Sequence, residues 1–280
     1  MRALPCEILP PPLVHRARGG LPVLLSVPHA GRDYPAWLVA LANGGRASLE
    51  PLEDPLVDRL AAPAITAGIA AVVARTPRAA IDCNRGEDEI DPLVVAGSGA
   101  RRTSARARGG LGIVPGRTAA HGTLWRHPIT RRQLDERIAQ AHRPYHAAIA
   151  AELEALANRF GGAILLDCHS MPPPPPGGHQ VILGDRYGRS AAGWVTSQAM
   201  RIVSAAGFTV GVNDPFAGGH IVERHGAPGR DVHALQVELD RRIYLGSDSH
   251  AFDRVAALLH TLAENLSRQL LDRQLPAAAE

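Results

Sequence analysis

The sequence predicts an α/β protein: a single three-layer α/β/α domain with a mostly parallel or mixed sheet between helices. Two observations carry this. Apolar runs too short for a helix, such as Ala163-Ile164-Leu165-Leu166, alternate with stretches of helical periodicity. Residues with chemical potential gather where such runs end, as they do at the carboxyl ends of strands in open α/β sheets.

The elements follow in order. Leu21 to Val27 reads as the first strand, ending on Pro28-His29-Ala30-Gly31. Pro55 to Ala67 carries Leu56, Val57, Leu60 and Ala64 on one helical face. Ile69–Val73 and Ala79–Cys83 read as strands. Residues 86–123 are rich in Gly and Arg with little periodicity, which predicts a long loop or lid. Thr130 to Phe160 is the strongest helix, capped by Thr130, kinked or split by Pro144 and stopped by Gly161-Gly162. Next come strand Ala163–Asp167, an extended proline run Pro172–Pro176, strand Gln180–Leu183 and helix Ser190–Ala206. The alternating Ala234–Leu239 is a strand, and Ser249–Leu271 is the last helix. No internal repeat and no domain boundary is visible, so residues 1–280 read as one domain with an N-terminal extension over 1–20.

The 280 residues are 45% hydrophobic, enough for a sizeable core, and the net charge is only +3. Every basic residue is arginine. A run at Arg101, Arg102, Arg106 and Arg108 reads as a solvated loop before it reads as an anion-binding one. Neither nucleic acid nor a membrane is the expected partner; no stretch reaches ~18 consecutive apolar residues. Three cysteines (Cys6, Cys83 and Cys168) match no disulfide framework, and the cytoplasm is the expected location. The proline-rich start, Met1 to Pro12, lacks the apolar core of a signal peptide.

The chemistry centres on Asp167-Cys168-His169-Ser170-Met171 and on His29, each placed where a strand is expected to end. Two histidines and a carboxylate are a donor set for catalytic zinc, which keeps a further position for water and lowers its pKa towards ~7. Asp54, at an expected helix start, is the third candidate ligand and Glu53 the alternative. Asp167 is placed to orient a neighbour. Glu238, in the apolar Val237-Glu238-Leu239, is a candidate general base. Asn84-Arg85 can fork onto a carboxylate, and Gly219, His220 and Arg224 sit in a dense, glycine-flanked polar stretch.

These pieces make the chain resemble the N-formylglutamate amidohydrolase family. They are Val27-Pro28-His29-Ala30-Gly31, Asp54, Ile81-Asp82-Cys83-Asn84-Arg85, Pro144-Tyr145-His146, Asp167–Met171, Gly218-Gly219-His220-Ile221 and Val232–Leu239, in order from about Leu21 to Tyr244. The resemblance implies a zinc-carboxypeptidase- or aspartoacylase-like fold and hydrolysis of an N-acyl amino acid. N-formyl-L-glutamate, cleaved to glutamate and formate as in histidine degradation, is the leading substrate. It further implies that His29, Asp54 and His169 bind one zinc ion or another divalent metal, that Glu238 is the base and that Asn84-Arg85 takes a substrate carboxylate. Where the histidine-degradation members read Thr-Arg-His-Tyr-Gly, this chain reads Val222-Glu223-Arg224-His225-Gly226, with the Arg-His pair moved by one. A carboxypeptidase-like or deacylating enzyme for another N-acyl amino acid or short peptide, and a non-catalytic metal or dicarboxylate binder, are the alternatives.

Overall fold

A computed structural model of the chain describes residues 8–97, 104–246, 248 and 250–274. Cys6, Arg101, Arg102, Ser249 and most of the start of the N-terminal extension lie outside the described residues. The chain forms two compact units that interleave in sequence. One comprises the chain up to Leu13 with Pro28–Glu53 and Val73–Ala147; the other comprises Val14–Val27, Asp54–Val72 and the chain from Ala148 onward. Because each unit draws on three separate stretches, no compositional boundary marks them.

The second unit carries a seven-stranded sheet. Its strands are β1 (Leu13–His15), β2 (Val23–Val27), β3 (Ala70–Val73), β4 (Ala163–Met171), β5 (Val181–Gly184), β6 (Val210–Val212) and β7 (Val232–Asp240), in the order β1-β3-β2-β4-β7-β5-β6. Strands β2, β4 and β7 run parallel, β5 is antiparallel to β7, and β6 is parallel to β5, so the sheet is mixed. The central strands are buried along their length, which explains their nearly continuous apolar sequences. Helices α1 (Val57–Thr66), α4 (Gly193–Ala205) and α6 (Ala251–Gln274) cover it, with α6 packed on both others.

The first unit has little regular structure. Its core gathers Leu38, Leu49, Ile81, Val94, Ile113, Val114, Leu124, Leu134 and Ile138, with Trp37 and Trp125 packed against it. The described parts of 86–123 are anchored there through buried Val94, Val95, Ile113 and Val114. They also contribute short strands at Val95–Ala96, Arg117–Thr118 and Gly122–Thr123.

Two expectations need correction, and a third, the split helix, is borne out. Ala79–Cys83 is not a strand. It follows Pro77 in a turn, with Ala80 N–H bonded to the Pro77 carbonyl (2.9 Å) and Asp82 N–H to that of Ile113 (2.7 Å). Side chains replace a ladder: Arg137 donates to the Ala80 carbonyl, His146 to that of Cys83 and His142 to that of Arg85. The Thr130–Phe160 helix is split, as expected, into α2 (Arg131–Arg137) and α3 (Arg143–Phe160) by a π turn at Ile138–His142, which ends two residues before Pro144, a residue with no N–H to donate. The Thr130 cap is a full capping box with Gln133. Finally, β4 does not stop at Asp167. It continues to Met171 because β7 pairs with it residue for residue, from Val232–Ala163 to Asp240–Met171.

Leu165 is fully buried at the centre of β4. Leu165→Ala is expected to lower stability by about 2–5 kcal/mol in denaturant unfolding, against about 1 kcal/mol for Thr130→Ala. Equal losses would show that the sheet is not the stabilising core.

Candidate active site

Sheet register creates a polar row in the second unit. Side chains alternate along a strand, and paired residues of parallel strands share a face. Ser26 of β2 pairs with Asp167, Asp167 with Gln236, and His169 with Glu238. One face therefore carries all five of these side chains, while Cys168 and Val237 point to the other. The row is hydrogen-bonded throughout. Ser26 Oγ donates to Asp167 Oδ1 (2.8 Å), Asp167 Oδ2 meets His169 Nε2 (2.8 Å), and Gln236 Nε2 donates to Glu238 Oε1 (2.7 Å). His169 Nδ1 faces Asp54 Oδ2 at 3.1 Å. Arg241 reaches Asp54 Oδ1 (3.3 Å) and Ser170 Oγ (3.1 Å).

Asp54 does not serve α1. That helix begins at Val57 and its Leu56 cap makes no side-chain hydrogen bond, so the carboxylate turns to His169 and Arg241 instead. Burial works against a protonated His169, but the Asp167 charge and hydrogen bond, the Asp54 hydrogen bond and the Glu238 charge outweigh it and raise the imidazole well above its usual value. Three carboxylates, Asp167, Asp54 and Glu238, thus act on one imidazole, with Arg241 the guanidinium that meets Asp54.

In the first unit His29 is buried two residues beyond the end of β2, and its Nε2 meets Asp82 Oδ1 at 2.8 Å. Asp82 also accepts from Arg78 Nε (2.8 Å) and from the Asn84 backbone N–H (2.8 Å). Burial alone would push its carboxyl up; Arg78, His29 and Arg85 hold it well below the ordinary range. Gly31 is required beside His29, since a Cβ there would stand 2.2 Å from the Thr76 carbonyl oxygen. Arg85 is buried, with Nε on the Leu111 carbonyl (2.8 Å) and Nη1 on that of Asn84 (2.7 Å), which fixes the direction of its fork. Glu53 accepts the Tyr34 hydroxyl hydrogen bond (2.6 Å); burial raises its carboxyl despite that bond.

In the second unit Gly219 precedes the short helix α5 (His220–His225), and its N–H is bonded to Gln236 Oε1 (2.7 Å). His220 is half-buried and Arg224 exposed. Burial, Arg224 and His220 together lower His225 to about 4, so it is neutral at pH 7. Burial pushes the Cys83 and Cys168 thiols up, which removes them as thiolate nucleophiles.

Although Asp82, Gln236 and His146 lie in stretches that carry the resemblance, sequence reasoning gave no role to Asp82, Gln236, Arg241, His142 or His146. The last two had a visible signal, histidines four apart on an expected helix. The others gain meaning only from their partners.

Each unit thus holds a buried imidazole backed by a carboxylate, with an oriented arginine in the first and a strand glutamate in the second, and the relatives of the chain are hydrolases of the amidohydrolase class. A family model described as N-formylglutamate amidohydrolase matches residues 21–245. The chain is 30% identical to an N-formylglutamate deformylase of Pseudomonas aeruginosa over 91% of its length and 93% of that protein's. It is 29% identical to one of Pseudomonas putida over 81% and 83%. The crystal structure of N-formylglutamate amidohydrolase from Ralstonia eutropha matches with a TM-score of 0.85 at 27% identity, over 94% of this chain and 99% of that one. The chain belongs to the N-formylglutamate amidohydrolase family. Among the described residues, no helix is long and apolar enough to cross a membrane.

The lowered Asp82 carboxyl has a consequence for stability. Its contribution is complete above the unfolded-state value of ~3.9 and is lost as pH falls through the lower folded-state value. Asp82→Asn is expected to flatten the acid limb of the stability curve below pH ~4. It should also cost about 1–3 kcal/mol at neutral pH. Thermal unfolding across a pH series measures both, and an acid limb identical to wild type would refute the assignment.

Proposed function

We propose that the chain hydrolyses N-formyl-L-glutamate to L-glutamate and formate, with His29, Asp54 and His169 holding one divalent cation, zinc by preference. One observation carries the metal assignment. Each imidazole has a buried carboxylate on Nε2 at 2.8 Å, Asp82 for His29 and Asp167 for His169. Metal-binding histidines characteristically give their second ring nitrogen to a carboxylate, which sets the tautomer and leaves Nδ1 as the ligand. Asp54 is favoured over Glu53 because it faces His169 Nδ1, whereas Glu53 is bonded to Tyr34. All three proposed ligands are buried, and each offers one donor atom. Two nitrogens and an oxygen are a donor set of catalytic zinc.

Bound there, zinc would supply a Lewis acid and a source of acidified water. The protein's own groups do the rest. Arg85, its fork aimed by two backbone carbonyls, takes a substrate carboxylate together with Asn84. Gly219, His220 and Arg224 line the substrate; His220 or Arg224 stabilises the oxyanion as the formyl carbon becomes tetrahedral. Glu238 accepts a proton from the attacking water and returns it to the departing nitrogen, so that the C–N bond breaks and formate and glutamate leave. The likeness to two deformylases over most of their length supports the substrate.

Purified protein should carry zinc, and chelation should remove both metal and activity. Glu238→Gln should lower kcat by about 10²–10⁴-fold with the metal retained. Arg85→Ala should act chiefly on KM. A panel of N-formyl, N-acetyl and dipeptide substrates separates deformylation from broader deacylation. Full activity after chelation, or in Glu238→Gln, would overturn the mechanism.

A further inference from the structure

The proposed base is held from its own strand. Gln236 and Glu238 project from the same face of β7, and both are buried. Gln236 Nε2 donates to Glu238 Oε1 at 2.7 Å, while Gln236 Oε1 accepts the Gly219 N–H at 2.7 Å. A backbone N–H only donates, so the oxygen of the amide must face Gly219 and its NH₂ must face Glu238. The orientation is set by a group that neither titrates nor rotates.

The Gly219 N–H is itself fixed by packing. Gly218 adopts φ +113°, and a Cβ there would lie 2.7 Å from Val222 Cγ2. A Cβ on Gly184 of β5 would lie 2.7 Å from the Gly218 nitrogen. The turn is therefore seated against the backbone of β5, where bare glycines are needed on both sides of the contact. From this seat the chain enters α5, which carries His220 and Arg224.

We infer that Gln236 is a positioning residue for Glu238, locking the carboxylate in place and tying it to the Gly218-Gly219 turn that begins the substrate-facing helix. The inference rests on Glu238 being the base. An amide suits the task because it must accept from one neighbour and donate to the other. Glutamate at 236 could still accept from Gly219 but would repel Glu238; methionine would fill the space and do neither.

The test is steady-state kinetics of the zinc-loaded enzyme on N-formyl-L-glutamate for Gln236→Met, Gln236→Glu, Glu238→Gln and the double variant Gln236→Met/Glu238→Gln. Both single variants at 236 should lose about 10–100-fold in kcat, part of the ~10²–10⁴-fold a general base contributes. KM should stay within about threefold and zinc content should be unchanged. In the Glu238→Gln background, Gln236→Met should cause little further loss, because the two residues act as a unit. Gln236→Glu keeps the volume and the acceptor for Gly219, so it reports even if Gln236→Met does not fold. Wild-type kcat in Gln236→Glu, a loss confined to KM, or an equal loss in both backgrounds would overturn the inference while leaving the base assignment intact. Wild-type kcat in Glu238→Gln alone would overturn that assignment, and the inference with it.

Discussion

The parallel pairing of β4 with β7 fixes what surrounds His169. Because Glu238 stands beside His169 and Gln236 beside Asp167, one face of the central strands carries an uninterrupted polar row in an otherwise apolar sheet. A slip of β7 by one residue would turn Val237 onto that face and send Glu238 to the other, away from His169. Nine consecutive pairs prevent such a slip, and they are also the reason why β4 extends past Asp167. Here the structural constraint and the chemical one coincide: the ladder that stabilises the sheet also brings the Glu238 carboxylate and the His169 imidazole together.

Such a row is costly to bury. Asp167 and Asp54 are almost wholly inaccessible and stand on the same imidazole, so each oxygen needs a hydrogen-bond partner. Their oxygens are satisfied by hydrogen bonds: Asp167 meets Ser26 and His169, and Asp54 meets His169 and Arg241. The same device recurs around Asp82, which draws on Arg78, His29 and the Asn84 backbone N–H. In each unit a buried carboxylate both orients a histidine and depends on it, which makes removing one partner alone far more disruptive than the pair's net contribution suggests.

The sequence made some of this readable and hid the rest for identifiable reasons. Thr130, Gly161 and the apolar runs of β2, β4 and β7 mark their elements through local signals that need no tertiary information: a capping residue, a left-handed stop and a burial pattern. The stretch Ala79–Cys83 carries the same apolar signal as a strand yet forms none, because its Ala80 and Cys83 carbonyls are satisfied by Arg137 and His146 from more than fifty residues away. Strands β1 and β6, three residues each, fall below the length at which alternation can be read. At the site, His169, Glu238 and Arg85 stood out as polar groups in or after apolar runs. Asp82 and Gln236 did not, since an acid at a turn and an amide in a strand are unremarkable until their partners are known.

The irregular segment around Asn84-Arg85 follows from the same physics. An arginine set on a mobile loop has to lose side-chain entropy before it can hold any fixed geometry, as the role proposed for Arg85 requires. Here the cost is met during folding: Arg85 is bonded through Nε and Nη1 to carbonyls on either side, and its own carbonyl is held by His142. His142 and His146 stand on successive turns at the π turn and the start of α3, with ring centroids 4.5 Å apart. The π turn widens the helix at the point where His142 must reach the Arg85 carbonyl while His146 reaches that of Cys83. The helical irregularity forced by Pro144 and the missing strand at Ala79–Cys83 are therefore two halves of one arrangement: a backbone released from the sheet is clamped by two histidines, so that a charged fork can be buried without a ladder to support it.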